Sequence, residues 1–275
     1  MLASRQESRF SRFLFKVVHN QEILRGDCKE VLKTFCDETI DLCITSVPYN
    51  IGLNYNEYKD NKKKEEYLSW LVAIFTEVKR VLRPDGSLFL NVGSTNLNPW
   101  VAFEVAMTLG KFFVLQNHII WVKSISVGDT SYGHFKPINS PRFLNQTFEH
   151  ILHFTKNGDV RINRLAIGVP YVDKGNLRRK RNDLDLRCRG NCWFIPYETI
   201  RSREERGKHP AVFPQTLVEW CIRLTGFNEE TVVCDPFLGS GTTLVVTKQL
   251  GIKGIGIEID PEYCQWSCDR LLKSA

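Results

Sequence analysis

The sequence lacks several features that would assign it to familiar classes of protein. No apolar run approaches the roughly 20 residues that a membrane-spanning helix needs. Its nine cysteines are an odd number, scattered through a chain without a secretory signal, which favours free thiols in a reducing compartment. None of them follows a proline, so no Pro-Cys pair is present. These absences predict a globular protein that is neither a membrane protein nor a disulfide scaffold.

Two cysteine pairs and the amino terminus carry weaker signals. Cys188 with Cys192 and Cys264 with Cys268 have spacings that metal ligands sometimes use. Neither pair shows the C-x2-C and partner pattern of a closed zinc site, so we expect no metal. The first residues are rich in Arg and Ser, but an acidic residue and only a short apolar patch argue against a transit segment. We interpret residues 1–20 as an N-terminal extension.

What the chain contains is enough apolar material for a sizeable core. Its 275 residues are 43% hydrophobic, which allows one large domain or one domain with an inserted lobe. The formal net charge is +6 at pH 7. That charge suits an anionic partner if it is concentrated on one face of the molecule.

Apolar periodicity predicts strands and helices in alternation along most of the chain. The predicted elements are strand 22–26, helix 28–35, a strand ending at residue 45, helix 66–82, a turn at 83–86, strand 87–92, helix 99–109, strand 118–122, strand 149–155, helix 215–225, strand 231–234, helix 242–250 and strand 255–258. Residues 124–147 show little periodicity. This order predicts an α/β fold, a doubly wound Rossmann-like sheet with an irregular inserted region.

The stretch from Thr45 to Asn50 follows a buried apolar run and should lie at the carboxyl end of a strand. Pro48 fixes its own φ and restricts Val47 to extended backbone, so carbonyl groups here can point outward. The Ser46 hydroxyl and the Pro48 carbonyl could accept hydrogens from an exocyclic amino group, which frees the nitrogen lone pair for attack. The Tyr49 ring could stack on a base flipped out of a duplex. Taken alone, the motif also fits a surface β-turn with a packed Tyr.

A second informative stretch, residues 231–258, has the pattern of a complete βαβ unit. Its turn contains Gly239-x-Gly241, which lets a ligand approach the backbone, and Glu258 is placed to accept hydrogen bonds from ribose hydroxyls. Asp235 before the turn is unfavourable for a pyrophosphate. The positive amino and sulfonium groups of S-adenosylmethionine suit that carboxylate. We therefore predict S-adenosylmethionine as the cofactor.

The segment from residue 157 to about residue 208 is the most irregular and most basic part of the chain. Its basic residues fall close together, at Arg178, Arg179, Lys180, Arg181, Arg187 and Arg189. A solvated charged loop is the ordinary interpretation of such a run. A lobe that contacts phosphates and reads bases is the alternative, and the motifs on either side favour it.

Three motifs taken together resemble the amino-group DNA methyltransferases of bacterial restriction-modification systems. They are Thr45-Ser46-Val47-Pro48-Tyr49, His209-Pro210-Ala211-Val212-Phe213-Pro214 and the segment from Asp235 to Thr243. The catalytic motif comes first, the basic segment lies in the middle and the cofactor motif comes last, an order that resembles the β class of that family. The resemblance spans roughly residues 20 to 270.

That resemblance implies a role for each matching residue. Ser46, Pro48 and Tyr49 would engage the target amine. The residues that would hold S-adenosylmethionine are Asp27, Thr45, His209, Phe213, Asp235, Phe237, Gly239, Gly241, Thr242 and Glu258. The residues that would bind DNA are Arg178, Arg179, Lys180, Arg181, Arg187 and Arg189. Val47 departs from the proline that is usual in the family, and we expect it to alter stiffness rather than chemistry.

The resemblance also divides the chain and names its partners. It implies a methyltransferase domain over residues 21–123 and 209–275, with a target-recognition region inserted at 124–208. The substrate would be double-stranded DNA in the cytoplasm of a prokaryote, in association with the nucleoid. A cognate restriction endonuclease that acts on the same site and a homodimer are both left open.

Ser46, in a position where the family often has Asp, favours N4 of cytosine as the methylated atom, with N6 of adenine as the alternative. Transfer would be direct and in line, because the Pro-Cys nucleophile of cytosine C5 methylation is absent. An NAD-dependent oxidoreductase on the same βαβ unit is a rival that leaves residues 45–50 and the basic segment unexplained. A non-catalytic DNA-binding module and methylation of structured RNA are two further alternatives.

Overall fold

The computed structural model describes residues 10–52, 56–134, 137–174, 184–197 and 213–274. The strands are β1 (Leu14–Val18), β2 (Gln21–Arg25), β3 (Ile40–Ser46), β4 (Leu82–Val92), β5 (Val114–Val122), β6 (Ser124–Val127), β7 (Thr130–Gly133), β8 (Phe148–Thr155), β9 (Cys192–Phe194), β10 (Val232–Asp235) and β11 (Lys253–Glu258). The helices are α1 (Cys28–Leu32), α2 (Lys64–Val81), α3 (Val101–Leu109), α4 (Gln215–Thr225), α5 (Thr242–Gln249) and α6 (Pro261–Lys273), with a short 3-10 helix at Ser11–Phe13.

Nine of these strands form one sheet in the order β1-β2-β11-β10-β3-β4-β8-β5-β9, and β6 and β7 form a separate hairpin. The five consecutive strands from β2 to β4 in that order are parallel, whereas β1 and β8 run antiparallel to their neighbours. Helices follow most of the parallel strands, as βαβ connections require. The predicted α/β doubly wound fold is confirmed.

Both faces of the sheet are covered by helices, because successive side chains of a buried strand point to opposite sides. On β3, Leu42 and Ile44 pack in a cluster with α4, whereas Cys43 packs in a cluster with α1, α2 and α3. A third cluster joins α5 and α6 on the α4 side. Strands that are apolar on both faces are therefore held between two layers of helices.

The sheet reverses its winding between β3 and β10. From β3 the chain crosses to β4 on one side, and from β10 it crosses to β11 on the other. The two strands are parallel neighbours, with Val233 opposite Leu42 and Cys234 opposite Cys43. Their carboxyl ends therefore open onto one crevice, the place where doubly wound sheets bind ligands. Two segments that lie about 190 residues apart in the chain thus meet at one crevice.

We predicted that residues 83–86 form a turn between a helix and a strand, and this prediction is wrong. β4 begins at Leu82, directly after α2, and runs on to Val92. The four residues instead form a bulge, since Leu82 pairs with Ile40 while Ser87 pairs with Leu42. Such an irregularity accommodates a proline that the middle of a regular strand would exclude.

The stretch 124–147, predicted to be irregular, contains the β6–β7 hairpin. Strands β8 and β9 also lie within the predicted region 124–208, yet both belong to the nine-stranded sheet. The division of the chain at 124 and 208 stays a prediction. Within the described ranges no helix is long and apolar enough to cross a membrane.

The cysteines are free thiols, and the two pairs considered as metal ligands differ in environment. Cys188 and Cys192 are exposed, whereas Cys264 and Cys268 are buried. The described part of the chain contains no group of three or more His, Cys, Asp or Glu side chains arranged to hold a metal ion.

Candidate active site

A cavity of about 990 Å³, including the part open to solvent, lies at the crevice between β3 and β10. Ser46, Val47 and Pro48 form one wall, and the glycine turn after β10 forms another. Further lining residues come from the turn after β2, the loop before α2, the segment that joins β11 to α6, Trp70 on α2 and Phe213 just before α4. The catalytic and cofactor motifs predicted from the sequence therefore share a single cavity.

The glycine turn is shaped by Glu258 and by helix α6. Gly239 has a positive φ and donates its amide hydrogen to Glu258 Oε2 at 2.8 Å, while its carbonyl accepts the Ser267 hydroxyl at 2.9 Å. At Gly241, where φ is +80°, an added Cβ would lie 2.8 Å from Ser267 Oγ. Arg270 donates to the Ser240 carbonyl at 2.6 Å. The second glycine therefore does not line the cavity but allows α6 to pack under the turn.

Glu258 lies at the mouth of the cavity, at the end of β11. Its Oε1 accepts the amides of Ile259 and Asp260 at 2.8 and 2.9 Å, and its Oε2 accepts the Gly239 amide. Burial raises the pKa of Glu258 to about 6, against the backbone hydrogen bonds that lower it. Each carboxylate oxygen has two lone pairs, so capacity is left to accept a ligand hydroxyl.

Asp235 was expected to face the positive groups of the cofactor, and the structure corrects this. The residue is 0% exposed and is not among those that line the cavity. Its Oδ1 accepts the Thr45 hydroxyl at 2.7 Å and the Phe237 amide at 3.1 Å, and its Oδ2 accepts the Thr243 hydroxyl at 2.7 Å. Burial raises the pKa of Asp235 to about 6. Asp235 and Thr45 thus tie β10 to β3 behind the cavity wall.

Four other predicted cofactor residues line the cavity directly, and one lies outside the described residues. The lining members are Asp27, Phe213, Phe237 and Thr242. Asp27 begins α1, where its side chain accepts the Lys29 amide at 2.9 Å. Phe237 packs against Trp70, which stacks on Tyr58, so one wall is aromatic. His209 lies in 198–212, outside the described ranges.

The lip of the cavity after β3 is held in place by the loop that follows it. The Pro48 carbonyl accepts the Tyr67 hydroxyl at 2.8 Å. Asn50 has a φ of +56°, and the buried Asp60 carboxylate accepts the amides of Asn50 and Ile51 at 2.8 and 3.0 Å. The lip is therefore a fixed structure rather than a solvated β-turn.

Ser46 and Tyr49 belong to a hydrogen-bonded cluster that continues onto β4 and β8. The two hydroxyls lie 3.1 Å apart, and Tyr49 donates to Glu149 Oε2 at 2.8 Å. Asn91 donates to the Tyr49 hydroxyl and to Glu149 Oε2, at 2.7 Å in each case. Lys123 forms an ion pair with Glu149 Oε1 at 2.9 Å. Ser46 therefore stands between the cavity on one side and this buried polar cluster on the other.

Gly93 makes room for the cluster. A Cβ at this position would lie 2.6 Å from the Tyr49 ring and 3.3 Å from the Glu149 carboxyl carbon. Both distances are shorter than ordinary van der Waals contact. The ring of Tyr49 is seated against bare backbone.

Comparison with known proteins assigns the chain to a family. Residues 40–269 match the N6/N4 methyltransferase family model, described as DNA methylase. The match covers most of the chain. The chain belongs to the N6/N4 DNA methylase family. It is therefore a DNA amino-methyltransferase, and the oxidoreductase alternative is excluded.

Curated relatives and solved structures are similar to this DNA methylase over nearly its whole length. The type II methyltransferase M.BglII of Bacillus subtilis is 31% identical, over 90% of this chain and 68% of its own. The DNA adenine methyltransferase YhdJ of Escherichia coli (strain K12) is 29% identical, over 90% of this chain and 82% of its own. The structure of the cytosine-N4-specific PvuII DNA methyltransferase shares the fold, with a TM-score of 0.69, 22% identity and coverage of 92% and 87%.

The TTHA0409 protein of Thermus thermophilus, solved in complex with S-adenosyl-L-methionine, has a TM-score of 0.62 and 26% identity to this methylase. The match covers 94% of each chain. The named relatives include both an adenine enzyme and a cytosine-N4 enzyme, so family membership leaves the target base of this methylase open.

Of the six arginines and lysines predicted to bind DNA, the structure describes two, Arg187 and Arg189, and they lie in different environments. Arg187 is exposed, and its backbone bridges to Val169. The Arg189 guanidinium lies 4.0 Å over the Trp220 ring and donates to the Ile167 carbonyl at 2.9 Å. This contact packs the loop of Arg189 against α4. We therefore expect Arg189 to stabilise that loop, and its role in DNA binding stays a prediction. The other four, Arg178, Arg179, Lys180 and Arg181, lie outside the described residues.

The sequence analysis missed the partners of the predicted residues. Asn91 had a usable signal, because it is the one polar residue in the apolar stretch 88–92 at the carboxyl end of β4. Glu149 and Lys123 begin or follow strands at the same edge, which is a weaker signal. Ser267 and Arg270 had none, because their contact with the glycine turn depends on how α6 folds back. In this methylase the unpredicted residues mostly support the predicted ones.

Proposed function

We propose that the chain transfers a methyl group from S-adenosylmethionine to the exocyclic N4 of cytosine in duplex DNA, at a specific sequence. The base is flipped out of the duplex and the transfer is direct and in line. Ser46 at the first position of the catalytic motif supports cytosine, since the resemblance associates Ser-x-Pro-Tyr with N4 enzymes. N6 of adenine is the alternative, and the adenine enzyme YhdJ among the relatives favours keeping it.

The observation that carries this proposal is the position of Ser46 on the wall of the cavity that Gly239 and Glu258 also line. A donor held by the glycine turn and an acceptor amine held at Ser46 would meet without any movement of the sheet. Positioning of this kind supplies much of the acceleration of a bimolecular transfer.

The chemistry of the cavity fits S-adenosylmethionine. Its lining contains four carboxylates, from Asp27, Glu57, Glu258 and Asp260, and no Lys or Arg among the described residues. That charge suits a cofactor with a sulfonium and an amino group, and it disfavours one with a pyrophosphate. The aromatic wall of Phe237 and Trp70 gives a flat face on which an adenine ring can pack. Bound there, S-adenosylmethionine supplies an electrophilic methyl group.

The lip residues would prepare the target amine. Ser46 lines the cavity, and the Pro48 carbonyl keeps one lone pair beside the hydrogen bond from Tyr67. Each could accept one hydrogen of the exocyclic amine, which moves the nitrogen toward tetrahedral geometry and frees its lone pair. The Tyr49 ring would stack on the flipped base, a contact worth roughly 1–3 kcal/mol.

Double-stranded DNA is the proposed macromolecular partner, bound in part by Arg187 and by the basic residues 178–181. The type II methyltransferases among the relatives support a place in a restriction-modification system, in a prokaryotic cytoplasm. The orphan methyltransferase M.BamHII of Bacillus amyloliquefaciens, 32% identical over 86% of this chain, favours testing for a partner endonuclease rather than assuming one. A homodimer is likewise left for measurement.

The test is mass spectrometry of nucleosides after incubation of the full chain with unmethylated genomic DNA and methyl-labelled S-adenosylmethionine. We expect the label in N4-methylcytosine. Label found only in N6-methyladenine would contradict the proposed base, and label in neither nucleoside would contradict the proposed function. Ser46→Ala is the matched variant, and we expect it to bind the cofactor with normal affinity by calorimetry while methylating DNA poorly.

A further inference from the structure

The hydroxyls of Ser46 and Tyr49 and the carboxylate of Glu149 form a continuous chain of hydrogen bonds that leads away from the cavity. The steps are 3.1 Å from Ser46 Oγ to the Tyr49 hydroxyl and 2.8 Å from that hydroxyl to Glu149 Oε2. The chain crosses from the loop after β3 to β8, an antiparallel strand whose neighbours in the sheet are β4 and β5. It ends on a buried carboxylate, which has no evident role in binding the cofactor.

The donor and the acceptor of each hydrogen bond on the path from Ser46 to Glu149 can be assigned. An ionised carboxylate only accepts hydrogen bonds, so the single hydrogen of Tyr49 points to Glu149. Asn91 approaches all three groups as a donor through Nδ2, at 2.7 Å from the Tyr49 hydroxyl and from Glu149 Oε2 and at 3.4 Å from Ser46 Oγ. The Ser46 hydroxyl must then donate its hydrogen to Tyr49. Of the two lone pairs of Ser46 Oγ, one lies toward the Asn91 amide and the other is left to accept a hydrogen from an amine at the cavity wall.

Lys123 forms an ion pair with Glu149, the last group on this hydrogen-bonded path. Its ammonium lies 2.9 Å from Glu149 Oε1, and both side chains are nearly buried, 12% and 11% exposed. An opposite charge at this distance favours the ionised carboxylate. Glu149 is therefore held as an anion that has one oxygen on the ammonium and the other on the Tyr49 hydroxyl.

Building on the proposed function, we propose that Glu149 is the acceptor of the proton that the target amine loses, through Ser46 and Tyr49. Glu149 touches neither cofactor nor base, so it is a positioning residue that acts through two hydroxyls. Lys123 and Asn91 hold Glu149 and Tyr49 in position. The same chain would serve cytosine or adenine, because both present an exocyclic amine.

The step balances without a further reactant. The nitrogen–carbon bond to the methyl group forms as the sulfonium–methyl bond breaks, and the nitrogen–hydrogen bond gives its proton to Ser46 Oγ. Ser46 passes its own hydrogen to the Tyr49 oxygen, and Tyr49 passes its hydrogen to Glu149 Oε2. Glu149 is then a neutral acid that returns the proton to solvent after product release. The sulfonium leaves as a neutral thioether.

Other charged and titratable groups also face Glu149. They are Lys123 after β5, Tyr49 after β3, Tyr197 after β9 and the adjacent His150 on β8. Burial, and the nearby Glu149 charge, raise the pKa values of both tyrosines, which keeps them neutral. Burial and His118 lower the pKa of His150.

The test uses single-turnover methyl transfer by the full chain on the DNA that the wild type modifies, from mildly acid to mildly alkaline pH, in H2O and D2O. The wild-type rate should fall toward acid pH, because the proposed path needs an ionised carboxylate at its end, and it should be lower in D2O because protons move along the path. Tyr49→Phe keeps the ring and every charge but breaks the path, so the rate should drop by about 100-fold or more. Its dependence on pH and on D2O should be lost, while cofactor affinity by calorimetry is unchanged.

Tyr197→Phe is the matched control. It removes the same atom from a tyrosine that contacts the other oxygen of Glu149, at 3.5 Å, outside the path. It should keep the wild-type rate and pH profile. If Glu149→Gln fails to fold because Lys123 is left unpaired, the double variant Lys123→Met with Glu149→Gln removes both charges. That variant should match Tyr49→Phe in rate and in its flat pH profile.

Two results would contradict the proposed transfer of the proton through Ser46 and Tyr49 to Glu149. Tyr49→Phe with the wild-type rate would mean that its hydroxyl carries no proton. A slow Tyr49→Phe that kept the wild-type pH profile and D2O effect would make the hydroxyl a positioning group only. Methylation of adenine instead of cytosine would correct the proposed base while leaving this comparison intact, and absence of methylation by the wild type would overturn both proposals.

Discussion

Gly93 shows how tightly a single position controls the site. Because a Cβ there would approach the Tyr49 ring to 2.6 Å, Gly93→Ala must displace this ring, whose hydroxyl contacts Ser46 and Glu149. A misplacement of about 1 Å can cost roughly 100-fold in rate, and we expect a loss of that order in methyl transfer. Cofactor affinity should be preserved, since Gly93 does not line the cavity. Calorimetry and single-turnover kinetics measure the two effects, and a variant with normal rates would mean that the ring has room to move.

Glu258 makes cofactor binding depend on pH. Burial raises its pKa to about 6, so acidification through that range protonates the carboxylate and removes an acceptor from the mouth of the cavity. We expect affinity for S-adenosylmethionine to fall several-fold as pH is lowered below this value. Glu258→Gln should bind more weakly at neutral pH and show a flatter pH dependence. Equal slopes in calorimetric titrations of the two proteins would assign the pH effect to another group.

At the scale of elements, the junction of β3, β10 and α5 depends on one carboxylate. Asp235 accepts hydroxyls from Thr45 on β3 and Thr243 on α5, so the two halves of the site are tied together beneath the cavity. Helix α6 supports the same turn from the other side through Ser267 and Arg270. The distance between catalytic and cofactor motifs is thus set by buried contacts rather than by the loops that carry them.

The raised pKa of Asp235, about 6 against a usual 3.8, has a defined sign in stability. The folded state holds the proton more tightly than the unfolded state, so this contribution is fully present at low pH and is lost as pH rises through about 6. The Asp235→Asn variant lacks this pH-dependent contribution to the free energy of unfolding. The unfolding free energy of the wild type, minus that of the variant, should therefore fall by about 1 kcal/mol between roughly pH 5 and pH 7. Urea denaturation measures this difference, and one that rises with pH would contradict the assignment.

At the scale of the whole molecule, two arginines that are close in sequence should behave differently. Arg187 is exposed, so Arg187→Ala should weaken DNA binding and reduce its salt slope by about 1 if the residue contacts a phosphate. Arg189→Ala should leave that slope unchanged and lower stability, since its guanidinium packs on Trp220. Salt-dependent binding and thermal unfolding of both variants provide the comparison. The same salt slope in Arg187→Ala as in the wild type would leave Arg187 as an ordinary solvated residue.

The sequence by itself determined the alternation of strands and helices, the Ser46–Tyr49 motif, the glycine turn and Glu258, because periodicity and turn chemistry are local properties. Only the tertiary structure decided that Asp235 is a buried tie, that Arg189 packs on α4, and that Glu149 completes a path from Ser46. Those roles depend on contacts between segments far apart in the chain, such as Tyr49 and Glu149, separated by 100 residues. A one-dimensional pattern marks the residues that can do chemistry, whereas the topology of the sheet selects the partners they meet.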